Sequence, residues 1–326
     1  MISIKHISLK PLIFTLILSL MSLSACSMKR TVLEIEHGNT NPLQQGVNPS
    51  QPNRTTVLRN ASVDEIREKD EISCPELERT ADAYFINGDL NLAFLNYEKC
   101  SQIDPRNARV LYKKGMLFLI KQLYEDAMKN FTLAAEIKPD YALAYQGLGQ
   151  ALFFIKQYED AEKNLKKALN LNPQLWRSHN FLGNIYDYQG KYSDAVYEYV
   201  AAIDIRPDGD YLYNNLGVSY SLLGRYEEAI QAFGKALKNG YREKRVYNNL
   251  GLSLGRIQKY DEALEAFKMA GDRSKALNNL GFIYLNQGKY GKAFKCFEKS
   301  IEISPSFYDK ARKNLKISKT YLNSTQ

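Results

Sequence analysis

From residue 74 onward, apolar side chains recur at i, i+3, i+4 and i+7 through successive segments of 12 to 15 residues, with polar residues between them. That period marks one face of an α-helix. The segments come in pairs, divided by short polar turns such as Gly190-Lys191-Tyr192 and Gly224-Arg225-Tyr226, where glycine admits the conformation a tight turn needs. The pairs repeat as well. Gly149, Gly183, Gly217 and Gly251 stand 34 residues apart, and so do Pro105, Pro139, Pro173 and Pro207. A fixed period of that length signals a solenoid, in which each unit buries its apolar face on the next. Alignment on these marks gives seven units, 74–107, 108–141, 142–175, 176–209, 210–243, 244–273 and 274–307. A further amphipathic helix over 308–322, within a C-terminal region 308–326, closes the last apolar surface. The predicted fold class is all-α.

Three columns of the repeat have the character of packing positions. Unit position 8 carries Ala81, Gly115, Gly149, Gly183, Gly217, Gly251 and Gly281, and position 20 is alanine in every unit, from Ala93 to Ala293. Small residues there allow two helices to approach closely. Position 24 is always large, as Tyr97, Phe131, Leu165, Tyr199, Phe233, Phe267 and Phe297, and is expected to fill the space between neighbouring units. This pattern of Leu-Gly, central Ala, aromatic and terminal Pro resembles the tetratricopeptide repeat (TPR). The resemblance implies a right-handed α-solenoid whose first helices line a concave groove, with positions 2, 5, 6, 9 and 13 of each unit facing its contents. It departs at Tyr241, which stands where Pro is expected, and in unit six, which lacks four residues near Gly271.

The N-terminus follows a different design. Two lysines and no acid in MISIKHISLK precede the apolar run PLIFTLILSLMSLSA, which ends at Leu23-Ser24-Ala25-Cys26. A basic, then apolar, then small-residue order over 1–25 is that of a secretory signal peptide. LSAC resembles the lipobox of bacterial lipoproteins, which implies lipidation of Cys26. Ser27 after it implies delivery to the outer membrane on the periplasmic side. Residues 26–73 are polar and interrupted by Pro and Gly, too poor in apolar groups to offset their ordering entropy, and read as a flexible tether. VDEIREKDEI at 63–72 has the pattern of a short helix leading into unit one.

Charge changes the picture little. The net +8 is made of +2 in the signal, −1 in 26–73 and +7 spread over the solenoid. So thin a basic excess is a solvated surface, and export removes nucleic acid as a partner. In the exported compartment disulfides are permitted. Cys74 opens the first helix of unit one and Cys100 lies near the end of its antiparallel second helix, so the two ends are neighbours. Either a Cys74–Cys100 bridge or two small buried side chains would satisfy that placement. Cys296 reads as a packing residue. No catalytic residues, metal ligands or cofactor motifs are found: His6 falls in the signal, His37 in the tether, and His179 at a position usually filled by a packing aromatic. The chain is not expected to be an enzyme or to carry a cofactor.

The asparagines are the functional lead. NNLG recurs three times, placing Asn214-Asn215, Asn248-Asn249 and Asn278-Asn279 at groove positions 5 and 6 of the last three units. Each amide offers a donor and an acceptor, so a row of them can pair with the backbone of an extended peptide. The resemblance assigns that use to Asn215, Asn249 and Asn279; the alternative is that the amides cap or cross-brace adjacent first helices. Arg177, Arg245 and Lys275 at position 2 border the row, and Asn184 lies in the same groove. Units two and three instead present Met116, Ile120, Leu143 and Phe154, an apolar stretch suited to large side chains. Asn180 and Asn249 stand where the carboxylate clamp of chaperone-binding relatives has bases, so such a clamp is not expected. A lipidated TPR chain of this size resembles, in architecture, outer-membrane lipoproteins that assist assembly of secretins and pili, such as the Tad (Flp) pilus lipoprotein TadD and the type IV pilus pilotins. That implies a non-catalytic scaffold for protein partners, either pilus or secretin components or, in the alternative, periplasmic cell-wall hydrolases or proteases.

Overall fold

The structure, a computed structural model, describes residues 72–304 and 309–324. The signal peptide, Cys26, and the tether up to residue 71 with most of its expected 63–72 helix lie outside the described residues. Fifteen helices follow one another in antiparallel pairs: α1 Cys74–Ile86, α2 Leu90–Ile103, α3 Ala108–Ile120, α4 Tyr124–Ile137, α5 Ala142–Phe154, α6 Tyr158–Leu171, α7 Trp176–Tyr188 and α8 Tyr192–Ile205. The remainder are α9 Asp210–Leu222, α10 Tyr226–Lys238, α11 Lys244–Arg256, α12 Tyr260–Ala270, α13 Arg273–Asn286, α14 Tyr290–Ile303 and α15 Asp309–Ser324. The described chain is an all-helical solenoid of seven pairs and a terminal helix.

Each pair turns at unit position 15, which is left-handed throughout: Gly88, Gly190, Gly224 and Gly288, but also Gln122, Lys156 and Gln258 at φ between 60° and 66°. The reason is a shared closing pattern. The Gly190 N–H donates to Asp187 O at 3.0 Å and the Lys191 N–H to Tyr186 O at 2.8 Å, and Gln122 and Leu123 make the same bonds to Leu119 O and Phe118 O. Those bonds require positive φ at the capping residue whatever its side chain.

The core is built by position 24 meeting position 8. Tyr97, Phe131, Leu165, Tyr199, Phe233, Phe267 and Phe297 are all buried to 2 % exposure or less. Each ring from unit two onward, or Leu165 in unit three, lies on the glycine of its own first helix; a Cβ at Gly217 would stand 2.6 Å from Phe233. Phe131 bridges units as well, since a Cβ on Gly115 or on Gly147 of the next unit would fall 2.6 Å or 2.5 Å from its ring. The large column thus packs within its own unit first, and only at Phe131 is a glycine of the next unit equally close.

The two departures have local explanations. Tyr241 is buried, and Arg245 lies over its ring at 5.8 Å, so an aromatic takes the place of the missing proline at that junction. In unit six α12 is only 11 residues long and just Gly271-Asp272 link it to α13. Asp272 caps the new helix by accepting the Lys275 N–H at 2.8 Å. At the two ends, Cys74 and Cys100 are joined in a disulfide across α1 and α2, and α15 stacks Tyr321 on Tyr290 with ring centroids 5.0 Å apart.

From unit two on, successive first helices touch one another, and they pack more closely than successive second helices do. The solenoid therefore curves with its first helices inside, which sets positions 2, 5, 6, 9 and 13 on the concave side. No described helix is long and apolar enough to cross a membrane.

Candidate peptide-binding groove

The amides form a ladder between repeats. Asn215 Nδ2 donates to Asn180 Oδ1 of the preceding unit at 3.1 Å, Asn279 Nδ2 to Asn248 Oδ1 at 3.4 Å, and Asn314 Nδ2 of α15 to Asn278 Oδ1 at 3.4 Å. The register is regular, with position 6 of one unit donating to position 5 of the unit before, except that α15 contributes its own amide to the last rung. Asn180 is thus part of the row as an acceptor. One rung is unmade. Asn249 should donate to Asn214 by this register, yet Asn214 Oδ1 has no partner although the residue is only 2 % exposed.

A second orphan lies in the same concave columns. Gln150, at position 9 of unit three and 3 % exposed, leaves its Nε2 unpaired. Among the described residues these are the two buried side-chain polar atoms that lack a hydrogen-bond partner, one an acceptor and one a donor. Both stand at groove positions. Leaving a buried polar atom unsatisfied costs about 1–3 kcal/mol.

The other predicted groove residues separate into engaged and open. Asn184 accepts the Tyr199 hydroxyl at 2.6 Å. Lys275 is exposed and ion-paired with Asp272 at 2.9 Å. Phe154 stacks on Tyr124 and meets Phe181 edge-on, so it is committed to the core between units two and four. Met116, Ile120 and Leu143 are half-buried. Arg177 and Arg245 are half-buried and, among the described residues, have no carboxylate partner; Arg177 instead lies 4.5 Å over the Trp176 ring. His179 is held by Glu198 at 2.6 Å and by Pro173 O at 3.2 Å, as a satisfied polar side chain would be.

Sequence reasoning missed Asp187. This carboxylate is 2 % exposed between units four and five, where it accepts Ser219 Oγ at 2.8 and 2.9 Å and the Tyr199 hydroxyl at 3.0 Å. Burial pushes its carboxyl up to about 7, against the lowering effect of those hydrogen bonds. A signal was present: position 12 is Phe85, Leu119, Phe153, Ser221, Gly255 and Leu285 in the other units, so Asp187 is the one charged residue in that column.

Paired helices at this period, with glycine-on-aromatic packing and a concave amide row, define a repeat scaffold, and the comparisons agree. Tetratricopeptide-repeat models match 108–141, 142–175, 211–239, 244–270 and 274–307, and a related TPR model matches 183–224, together more than half of the chain. The chain belongs to the tetratricopeptide-repeat family. Among solved structures it is similar to PilF of Pseudomonas aeruginosa, at 18 % identity over 67 % of this chain and 99 % of that one with a TM-score of 0.51. It is also similar to a tetratricopeptide repeat protein from Parabacteroides merdae, at 16 % identity over 75 % and 98 % with a TM-score of 0.50. MamA aligns at 30 % identity over 49 % of this chain and 93 % of its own, with a TM-score of 0.43. The first two likenesses are of fold. No curated protein matches.

Proposed function

We propose that this chain is a non-catalytic scaffold, lipid-anchored at the periplasmic side of the outer membrane, whose concave groove holds an extended segment of a partner protein. The observation that carries the groove assignment is the row of concave-face amides at positions 5 and 6, in which Asn215 and Asn279 are only part-buried and offer both donors and acceptors. The ladder amides add further capacity, since each Asn Nδ2 carries a second N–H beyond the one used in its rung. The anchor rests on LSAC closing the apolar run. On that architecture the reading extends to assembly of a pilus or secretin of the Tad (Flp) type.

Two measurements test it. Asn215, Asn249 and Asn279 replaced together by Ala are expected to weaken partner binding about tenfold or more. Because Asn215 and Asn279 also brace their neighbours, the melting temperature should fall modestly. Asn180→Ala is the control, because it removes the Asn215 rung but keeps the position-6 amide. Equal loss of binding from Asn180→Ala and Asn215→Ala would mean that the amides act only through the fold. For the anchor, mass spectrometry of the mature N-terminus is expected to find acylated Cys26, a multiply acylated cysteine being enough for stable attachment. A mature chain beginning elsewhere, or Cys26→Ser with unchanged membrane fractionation, would remove that part.

A further inference from the structure

The groove has two unlike rims. Positions 2 lie at the N-terminal ends of the first helices and positions 13 at their C-terminal ends, about 16 Å away along the helix axis. In units two to seven the groove positions hold no Asp or Glu, although the chain contains 36 acidic residues. Position 2 carries Arg109, Arg177, Arg245 and Lys275, and the aligned helix N-termini add partial positive charge along the same edge. Position 13 carries Ile86, Ile120, Phe154, Tyr188 and Leu222 through the first five units, Phe154 being packed into the core and Ile86 73 % and Tyr188 50 % exposed, and Arg256 and Asn286 in the last two. The first rim carries a base in units two, four, six and seven, and the second is apolar through unit five.

Unit one shows what the cationic rim binds. Its own groove residues Glu78 and Asp82, at positions 5 and 9, reach the bases of unit two: Glu78 takes Arg109 and Lys113 at 2.6 Å each, and Asp82 takes Lys113 at 2.6 Å. Burial pushes the Glu78 carboxyl up, but the bonds from Arg109 and Lys113 outweigh it and hold the group below its ordinary range. Further along the groove no acid answers Arg177 or Arg245 among the described residues.

Resting on the groove assignment above, we infer that the partner segment is an extended strand in which acidic and apolar residues alternate. An extended chain running along the solenoid axis sends successive side chains to opposite sides. Those sides here are the cationic and the apolar rim, while its backbone lies over the part-buried amides of Asn215 and Asn279. A helix would present no free backbone donors or acceptors to those amides. Arg177 and Arg245 are two repeats apart, roughly 20 Å at ordinary helix-packing distances. Carboxylates about six residues apart in the strand would meet both.

Fluorescence anisotropy with the full chain tests this, using labelled 12-residue probes: alternating Glu/Leu, alternating Gln/Leu, alternating Lys/Leu, and a block peptide of six Glu then six Leu. Alternating Glu/Leu is expected to bind at least about tenfold more tightly than the other three, with affinity falling as salt rises. Arg177→Gln with Arg245→Gln should remove most of that preference and flatten the salt dependence, with only a modest fall in melting temperature from the lost contacts with Trp176 and Tyr241. Equal binding of Glu/Leu and Gln/Leu, or of the alternating and block peptides, overturns the inference but leaves the groove assignment standing. The inference is equally overturned by a double variant that binds as wild type. If none of the probes binds, the inference fails; the groove assignment fails with it only if the position-6 asparagine variants also leave capture of the partner protein unchanged.

Discussion

Phe131→Ala is expected to destabilise the protein by about 3–5 kcal/mol, the usual cost of emptying a fully buried aromatic site. The ring is 0 % exposed and lies against the bare backbones of Gly115 and Gly147 in two successive units. With no side chain on either glycine, the site has little means of collapsing. Stability in a solenoid is a sum of unit and nearest-neighbour terms. Hydrogen exchange should therefore lose protection first in α3 to α6, ahead of the last two units. Gly147→Ala alone should also destabilise, by about 1–3 kcal/mol, because its Cβ would stand 2.5 Å from the ring. Combined with Phe131→Ala, the added methyl enters the cavity. The double variant is expected to be less damaged than the sum of the two singles, and a denaturation double-mutant cycle reads that coupling. Simple additivity would mean that Phe131 does not sit between the two glycines.

Asp187→Asn is expected to stabilise the protein at pH 8 and to change little near pH 4. Burial raises the folded-state carboxyl from 3.8 to about 7. The folded form therefore holds a proton that the unfolded form gives up. Linkage then makes stability fall as pH rises from about 4 to about 7, with no further change from this group above that. A tenfold change in proton affinity is worth about 1.4 kcal/mol, so removing the charge should recover about 2–4 kcal/mol on the alkaline side. The amide can still accept Ser219 and Tyr199 through its oxygen. Glu78 and Glu162 act in the opposite sense: hydrogen bonds from Arg109 and Lys113, and from Lys166 and Gln189, overcome burial and hold their carboxyls low. Their contribution is present above the unfolded carboxylate range and is lost as pH falls through their lowered folded values. Melting temperatures of wild type and Asp187→Asn should separate between about pH 4 and about pH 7 and keep a constant gap from there to pH 8. Parallel curves would show that Asp187 is not the buried acid.

The repeat was legible because its columns answer to strong local constraints. A glycine at Gly183 or Gly217 is needed where an aromatic ring touches the helix backbone, and an alanine at Ala195 or Ala229 where two helices cross, so the same letters return at each period. Periodicity also placed Cys74 and Cys100 at adjoining helix ends, since antiparallel pairing leaves no other arrangement. The turns were less legible. Gln122, Lys156 and Gln258 occupy the left-handed position that glycine marks elsewhere, and only the closing hydrogen bonds reveal it.

The groove columns were readable from the sequence, but the use each side chain makes of its place was not. Asn215 and Asn180 stand 35 residues apart, and only the approach of successive first helices brings their amides within 3.1 Å. Nothing local distinguishes the made rung at Asn248–Asn279 from the unmade one at Asn214–Asn249. Arg109 and Arg177 share a column, yet Arg109 is taken up by Glu78 of the preceding unit and Arg177 meets no carboxylate among the described residues. The sequence by itself determined the helices, the period, the packing columns and the composition of the concave face, because those depend on neighbours at fixed spacing along one chain. The tertiary structure decided which polar groups satisfy one another and which stay unpaired, because a hydrogen bond between repeats depends on distances of a few tenths of an ångström set by every helix packed on either side.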